Sequence, residues 1–322
     1  MLRNILVPLD GSSRAEVAVS HAAALAGFSE AVVVLLRVVE EDPGQGVAVD
    51  PVHFRFAQQR ASEYLRRIAT GLTAKGTRTR WEVRVGKPAD QIVDFASSHG
   101  IDLIVLSSHG RGDATAFGLG GTAHKVVEGA GVSVMLIPSA EHLSGAPAAV
   151  AYRRIVVPVD RSPRSDWAVS FGAGIARASE GELVLVHVIP TPDSEGLAPS
   201  GSDEQQLAET LIQLARTRAE YSLREVIHQL TESGLAARYR MVESAHSAAS
   251  IADIAREERA DLTLLVAHGS AGETRLPYGS VCAKLLAMGT GVTLVLQDQP
   301  SPSRALEPIE SSPRPRGLAA RP

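Results

Sequence analysis

A single cysteine, Cys282, stands in this chain of 322 residues. A lone thiol forms no internal disulfide and lacks the partners of a cysteine-based zinc site, and it suits a reducing compartment. Long apolar runs are missing too. The longest, such as Ala31–Leu36, have the length of a strand and fall far short of the ~20 residues of a membrane span. The opening MLRNILVPLD is broken by Pro8 and Asp10 before it could act as a signal peptide. Nor is there an excess of basic charge. The net charge is −4 and the pI about 6.2, which gives no electrostatic ground for nucleic-acid binding. One electropositive site for an acidic ligand stays compatible with that balance. Together these absences point to a cytoplasmic protein with neither membrane nor nucleic acid as a partner.

Several reaction signatures are also lacking. Gly86-Lys87 runs straight into Pro88 and makes no Walker A loop. No GxGxxG follows the first predicted strand, and no GxSxG elbow occurs. No set of His, Cys and carboxylates shows metal-ligand spacing. No general base is paired with a nucleophile in a way that recurs along the chain, so no catalytic or metal-binding residue is assigned.

What is present is an ordinary soluble composition, 44% hydrophobic and 21% charged, and a long internal repeat. Arg3-Asn4-Ile5-Leu6-Val7-Pro8-Leu9-Asp10 returns 150 residues later as Arg153-Arg154-Ile155-Val156-Val157-Pro158-Val159-Asp160. Ser12, Ala18, Leu35 and Val38 find counterparts in Ser162, Ala168, Leu185 and Val188 at the same offset. A second block, with Ile92, Asp94, Asp102, His109, Gly110 and Gly120, returns as Ile251, Asp253, Asp261, His268, Gly269 and Gly279, now at an offset of 159. The extra residues fall between the blocks, where Thr191–Gln206 reads as a longer polar loop. A period this long marks a duplicated domain. Residues 1–139 form the first copy, 140–152 an Ala-, Gly- and Pro-rich linker, and 153–298 the second copy. The tail, 299–322, is rich in Pro and Arg and is expected to be disordered.

Within each copy, strand and helix patterns alternate. In the first, strands are predicted at Ile5–Leu9, Val32–Val39, Arg80–Val85, Leu103–Ser107 and Ser133–Ile137. Helices are expected from Ser12 or Ser13 to Ala26, and over Phe54–Ala74, Pro88–Ser98 and Thr122–Gly129. The second copy gives strands at Ile155–Val159, Leu183–Ile189, Ala237–Val242, Leu262–Val266 and Thr293–Leu296. Its helices are expected at Ser165–Ala178, Gln205–Glu232, Ser247–Glu258 and Ser280–Met288. Continuously apolar strands alternating with helices predict a parallel, doubly wound sheet with helices on both faces.

Ligands of such sheets bind beyond the carboxyl ends of the strands, where the strand order reverses. The first strand ends on Pro8-Leu9-Asp10 and its repeat on Pro158-Val159-Asp160. Two readings of these aspartates stand: a hydrogen-bond acceptor for a base or ribose, or an Asx turn that caps the following helix. The fourth strand ends in Ser107-Ser108-His109-Gly110, then Gly120-Gly121-Thr122 opens a helix. Its repeat is Val266-Ala267-His268-Gly269, then Gly279-Ser280. Glycine lets the backbone approach a bulky ligand, and a helix N-terminus offers free N–H groups to phosphate; a mobile loop with an ordinary cap is the alternative. His109 and His268 read as turn residues, or as residues whose backbone touches ligand, rather than as catalytic or metal-bound groups.

The opening Ile-Leu-Val-Pro-(Leu/Val)-Asp-x-Ser, the His-Gly turn and the Gly-led helix start, in this order, resemble the universal stress protein family over nearly the whole chain outside linker and tail. The resemblance implies an α/β fold of two tandem doubly wound, parallel-sheet, Rossmann-like domains of the adenine nucleotide alpha hydrolase-like kind, five-stranded each. It also implies that the last strands of the two copies pair as an internal pseudo-dimer, with a further homodimer open. The ATP-binding branch of the family carries G-x2-G-x9-G-(S/T). Gly110 and Gly120 match it in the first copy, but Ser107 replaces the first glycine and Gly121 the hydroxyl, with Thr122 one residue later. Gly269, Gly279 and Ser280 match in the second, but Val266 replaces the first glycine, and its branched side chain would crowd a ligand more than Ser107 would.

By that resemblance Asp10, Asp160, Val38 and Val188 would contact adenine, and the glycines and Ser280 would hold ribose and phosphates. The candidate set is Pro8, Leu9, Asp10, Val38, Ser107, His109, Gly110, Gly120, Gly121 and Thr122, with Pro158, Val159, Asp160, Val188, Val266, His268, Gly269, Gly279 and Ser280. The implied ligand is ATP or another adenine nucleotide, with Mg2+ arriving only alongside it. The expected activity is regulatory binding in a stress response, not fast catalysis. The broken motifs leave a nucleotide-free interaction module as the rival, and a slow ATP hydrolase as the third reading.

Overall fold

In the computed structural model, residues 2–40, 51–110, 119–138, 150–191, 202–269 and 278–297 are described. The expected tail, most of the linker and the Gly-rich stretch 111–118 lie outside them.

The first copy runs β1 (Asn4–Pro8), α1 (Ser13–Ser29), β2 (Val32–Val39), α2 (Pro51–Ala74), β3 (Thr79–Val85), α3 (Pro88–Ser98), β4 (Leu103–Ser107), α4 (Gly121–Gly129) and β5 (Ser133–Ile137). The second repeats it as β6 (Arg154–Pro158), α5 (Pro163–Ala178), β7 (Glu182–Pro190), α6 (Ser202–Glu232), β8 (Ala236–Ser244), α7 (Ser247–Glu257), β9 (Leu262–Val266), α8 (Ser280–Met288) and β10 (Thr293–Leu296). Each predicted element is present, with ends that move by a few residues for local reasons. Ser12, not Ser13, caps α1, its hydroxyl accepting the Ala15 N–H. The helix continues past Ala26 to Ser29 until Glu30 turns left-handed and gives its N–H to the Ala26 carbonyl. Ser162 caps α5 in the same way, so that helix starts at Pro163, where a missing N–H is harmless, rather than at Ser165.

The strands form one ten-stranded sheet in the order β3-β2-β1-β4-β5-β10-β9-β6-β7-β8. Pairing is parallel within each copy and antiparallel only where β5 meets β10, with Met135 opposite Leu294. Two parallel half-sheets related by a two-fold axis through their edges must meet in opposite directions. The junction removes two apolar edges that would otherwise stand open, and leaves the arginine-bearing β3 and β8 as the outer strands.

Strand residues alternate between two apolar layers. Ile5, Val7, Val33 and Leu35 pack beneath α1 and α2, while Leu6, Val34 and Leu36 pack toward α3 and α4. All seven are fully buried, and each contributes about 1.5–3 kcal/mol by burial. The copies also meet through α1 and α5. Phe28 lies edge-on to Phe171, and a Cβ added to Gly174 would sit 2.7 Å from Phe28. Tyr152, placed by the sequence at the end of the linker, is only 2% exposed. Its hydroxyl lies 2.8 Å from His21 Nδ1 and 3.9 Å from the sulfur of Met135. The start of the second copy is thereby seated in the core of the first.

Candidate functional site

The order of strands reverses between β1 and β4, and again between β6 and β9, since the chain winds outward through β2 and β3 before returning. At the first of these points a cavity of about 360 Å³ opens at the carboxyl ends of the strands. β1 supplies Pro8, Leu9 and Asp10 to its wall, and β2 supplies Val38. The turn after β4 supplies Ser107, His109 and Gly110, and the start of α4 supplies Gly120, Gly121 and Thr122. All ten candidates of the first copy therefore line one cavity. Leu36, Arg37, Glu40, Pro88, Ile92 and Ser108 line it as well, and none of these stood in the candidate set. Arg37 carried a signal, as the one charge within the apolar run VVVLLRVV. Pro88 and Ile92 carried none, because α3 reaches the cavity only through the sheet's twist and crossover.

Asp10 makes the Asx turn that is one of its two readings. Its Oδ1 accepts the Ser12 N–H at 2.8 Å and the Ser12 hydroxyl at 2.6 Å, a local turn that fixes the carboxylate. Gly11 provides the left-handed backbone this turn needs, with φ at 79°. The other oxygen faces the second motif: a Cβ on Gly110 would stand 2.3 Å from Asp10 Oδ2. The aspartate and the glycine, 100 residues apart in sequence, thus require each other. The second copy repeats the contact, with a Cβ on Gly269 falling 2.5 Å from Asp160 Oδ2. Ser162 N–H donates to Asp160 Oδ1 at 3.1 Å. Arg161 takes the place of Gly11 there and adopts φ of 63°, a left-handed geometry that is strained for a residue with a side chain.

The residue before each aspartate is held on both sides by the neighbouring strand. Leu9 N–H donates to the Leu36 carbonyl at 2.8 Å, and Arg37 Nη1 donates to the Leu9 carbonyl at 3.3 Å. Val159 N–H donates to the Val186 carbonyl at 2.8 Å, and His187 Nδ1 stands 2.7 Å from the Val159 carbonyl.

The turn after β4 is folded onto the helix start. Gly120 N–H donates to the Ser108 carbonyl at 2.7 Å, and Gly279 N–H to the Ala267 carbonyl at 2.7 Å. A Cβ on Gly120 would lie 3.2 Å from that same Ser108 carbonyl, so the tight closure favours glycine. Ser107 Oγ donates to the His109 carbonyl at 2.8 Å, and Ser108 Oγ lies 3.1 Å from His109 Nδ1. The serine in the first-glycine position thus turns its hydroxyl into the loop. Val266, its counterpart, packs against the apolar layer beneath α5. His109 and His268 are both buried turn residues.

Gly120 and Gly279 are the N-caps of α4 and α8, and among the described residues neither helix start receives a side-chain cap. The first N–H groups of α4 therefore face the cavity, with the positive end of the helix dipole behind them. In the second copy Pro158, Val159 and Asp160 end β6, Val188 lies on β7, His268 and Gly269 follow β9, and Ser280 opens α8. Among the described residues no cluster of three or more His, Cys, Asp or Glu is placed to hold a metal ion, and no helix is long and apolar enough to cross a membrane.

The architecture is that of a duplicated, doubly wound α/β protein with a cavity at the reversal of strand order. The profile of the universal stress protein family matches residues 1–138 and 151–290. The chain belongs to that family, in its tandem form. A universal stress protein of Mycolicibacterium smegmatis is 23% identical over 306 residues, spanning 91% of this chain and 96% of that relative. One from Methanocaldococcus jannaschii is 26% identical over 140 residues, 42% of this chain and 82% of the relative. Among solved structures, a universal stress protein from Archaeoglobus fulgidus superposes with a TM-score of 0.62 at 17% identity, over 92% of this chain and 98% of that one. One from Pseudomonas aeruginosa gives 0.65 at 16% identity, over 92% and 93%. Both share the fold.

Proposed function

We propose that this tandem universal stress protein binds ATP or a related adenine nucleotide at the reversal point of its first copy, and at the equivalent place in its second, and acts as a regulatory module in a stress response. The observation that carries the reading is the convergence on one cavity of a fixed carboxylate, closely approached glycine backbone and a helix start whose N-cap is a glycine. The carboxylate of Asp10 suits the edge of a base or a ribose hydroxyl. The N–H groups at Gly121, Thr122 and Ala123 suit phosphate oxygens, and need no lysine to do so. Val38 and Ile92 offer apolar contact for a purine face. The volume lies within the ~300–1,000 Å³ usual for small-ligand sites.

The groups gathered here hold and orient rather than transfer protons. Asp10 already accepts two hydrogen bonds through one oxygen, and backbone amides, hydroxyls, the Arg37 guanidinium and the His109 ring stand around the rest of the cavity. Mg2+ would enter only with the phosphates of a nucleotide. A nucleotide-free reading has its best support in the second copy, where Val266 stands in the first-glycine position. Titration calorimetry of the whole chain with ATP, ADP, AMP and cyclic AMP tests the proposal. Saturable binding of at least one is expected, weakened tenfold or more by Asp10→Ala. Absence of binding at millimolar nucleotide, in protein shown by circular dichroism to be folded, would refute it.

A further inference from the structure

We infer that the side chain at position 37, and its counterpart at 187, is a positioning residue of the nucleotide site, acting through the carbonyl that precedes the aspartate. The inference rests on the nucleotide reading above and adds a determinant to it.

The segment from Leu9 to Asp10 has left the sheet, so its backbone groups no longer have a strand ladder to satisfy them. The neighbouring strand supplies both missing partners. Main chain at Leu36 takes the Leu9 N–H, and the side chain of Arg37 reaches the Leu9 carbonyl. The second copy builds the same clamp from Val186 and His187 around Val159. The geometry is repeated while the chemistry differs: a guanidinium in one copy, an imidazole in the other. A carbonyl can only accept, so His187 Nδ1 carries the proton. Two unlike side chains performing one task in one chain point to the task, a donor aimed at this carbonyl, as what matters there.

The consequence lies one residue on. Clamping Leu9 fixes the direction in which Asp10 leaves the strand. The carboxylate of Asp10 is then locked between the Ser12 donors and the backbone of Gly110. Arg37 is itself braced by the ring of Tyr64 on α2, 5.8 Å from its guanidinium, while Arg67 covers Tyr64 at 5.6 Å. Burial, and then the nearby Glu16 carboxylate, push the Tyr64 phenol well above its usual range, so it stays neutral beside the cation. Because Arg37 also lines the cavity, the strut brings a permanent positive charge to the first pocket. The second copy has an imidazole in that place.

The test uses the full chain and four variants: Arg37→Met and His187→Met, which keep bulk but remove the donor, and Arg37→His and His187→Arg, which exchange the two solutions. Two quantities are read, ATP affinity by calorimetry and amide hydrogen exchange at Ser12 and Ser162, whose N–H groups report the aspartate turn without any ligand. The methionine variants should lose roughly tenfold in affinity at the altered pocket, and roughly tenfold in protection at the matching serine amide. The exchanged variants should recover most of both. Unchanged exchange and unchanged affinity in Arg37→Met and His187→Met would overturn the inference. So would a fall in melting temperature that His at 37 and Arg at 187 fail to restore, since that describes packing alone. If the native chain takes up no nucleotide, the binding proposal fails while the exchange measurement still decides the strut.

Discussion

Replacing Gly110 by alanine puts the link between Asp10 and the glycine turn under direct load. The new methyl carbon would stand 2.3 Å from Asp10 Oδ2 and 3.1 Å from its Cγ. Ordinary contact needs about 1 Å more than the shorter of these. The carboxylate is short and pinned, with Ser12 donating to it twice at 2.8 and 2.6 Å, so it cannot swing aside without stretching those bonds. Hydrogen bonds to a charged acceptor contribute about 1.5–3 kcal/mol each, and small-to-large changes in tight sites cost about 1–3 kcal/mol. Gly110→Ala should therefore destabilise the protein by about 1–3 kcal/mol. With about 2–4 °C lost per kcal/mol in a chain of this size, the melting temperature should fall by several degrees. Gly121 is the control. Its added Cβ would meet nothing within 4 Å, and Gly121→Ala should be neutral or stabilising by up to about 1 kcal/mol.

The assay is urea unfolding of four proteins: native, Gly110→Ala, Asp10→Ala and the double variant. If the penalty comes from the carboxylate, removing it first should make the alanine at 110 nearly free, giving a coupling of about 1 kcal/mol or more. An equal cost of Gly110→Ala in both backgrounds would refute the contact as the cause. A Gly110→Ala protein as stable as the native one would refute the geometry altogether.

Four other outcomes follow from the same reasoning. Gly269→Ala, whose Cβ would meet Asp160 Oδ2 at 2.5 Å, should destabilise like Gly110→Ala, with rescue by Asp160→Ala in the same cycle. Tyr152→Phe removes a buried hydroxyl 2.8 Å from His21 Nδ1 and should cost about 1–2 kcal/mol in urea unfolding. Arg161→Gly relieves a left-handed backbone at φ 63° and should stabilise by about 0.5–1 kcal/mol, whereas Gly11→Ala, at φ 79°, should lose a similar amount; thermal melts decide both. Glu258 is held at a pKa of about 2 by hydrogen bonds from Arg238 and Arg240, against an opposing effect of burial. Its folded pKa lies below its unfolded one, so its contribution is present above about pH 4.5 and is lost as pH falls toward 2. Urea midpoints between pH 2.5 and 6 should drop less steeply for Glu258→Gln than for the native chain.

The fold was legible because its signals are local and repeated. Fully apolar strands such as Ile5–Leu9, capped helices such as the one after Ser12, and the same order recurring 150 residues on leave little choice of topology. The junction of β5 with β10 was not readable from those signals. An apolar strand looks alike whether its neighbour is parallel or antiparallel, and only family resemblance pointed to the pairing. Tyr152 was hidden for a similar reason, since an aromatic after an Ala-, Gly- and Pro-rich stretch gives no hint that its hydroxyl meets His21 across the copies. At the site, motif residues were found because glycine and aspartate at strand ends carry a backbone meaning. Arg37, Pro88 and Ile92 were missed because they reach the cavity from elements whose own patterns serve packing.

The duplicated site separates geometric necessity from chemistry that is free to drift. The aspartate against glycine, the glycine N–H closing onto the turn carbonyl, and the serine cap occur in both copies with distances that agree within a few tenths of an ångström. Ser107 and Val266, Gly121 and Ser280, Arg37 and His187 differ. The divergent pairs lie at the ends of the strands and at the helix starts, while each shared feature is one that a Cβ or a missing donor would break. Under the proposed function, two copies with one skeleton and different side chains are expected to differ in affinity. The direction turns on two opposed substitutions: the first copy keeps a small Ser107 folded into its own loop but lacks the helix-start hydroxyl, and the second keeps that hydroxyl at Ser280 but has the bulkier Val266 in the first-glycine position. Exchanging them one at a time, Val266→Gly in the second copy and Gly121→Ser in the first, should raise ATP affinity at each pocket. If only Val266→Gly raises it, crowding by the branched side chain outweighs the lost hydroxyl. If neither change alters binding, the skeleton alone sets the affinity.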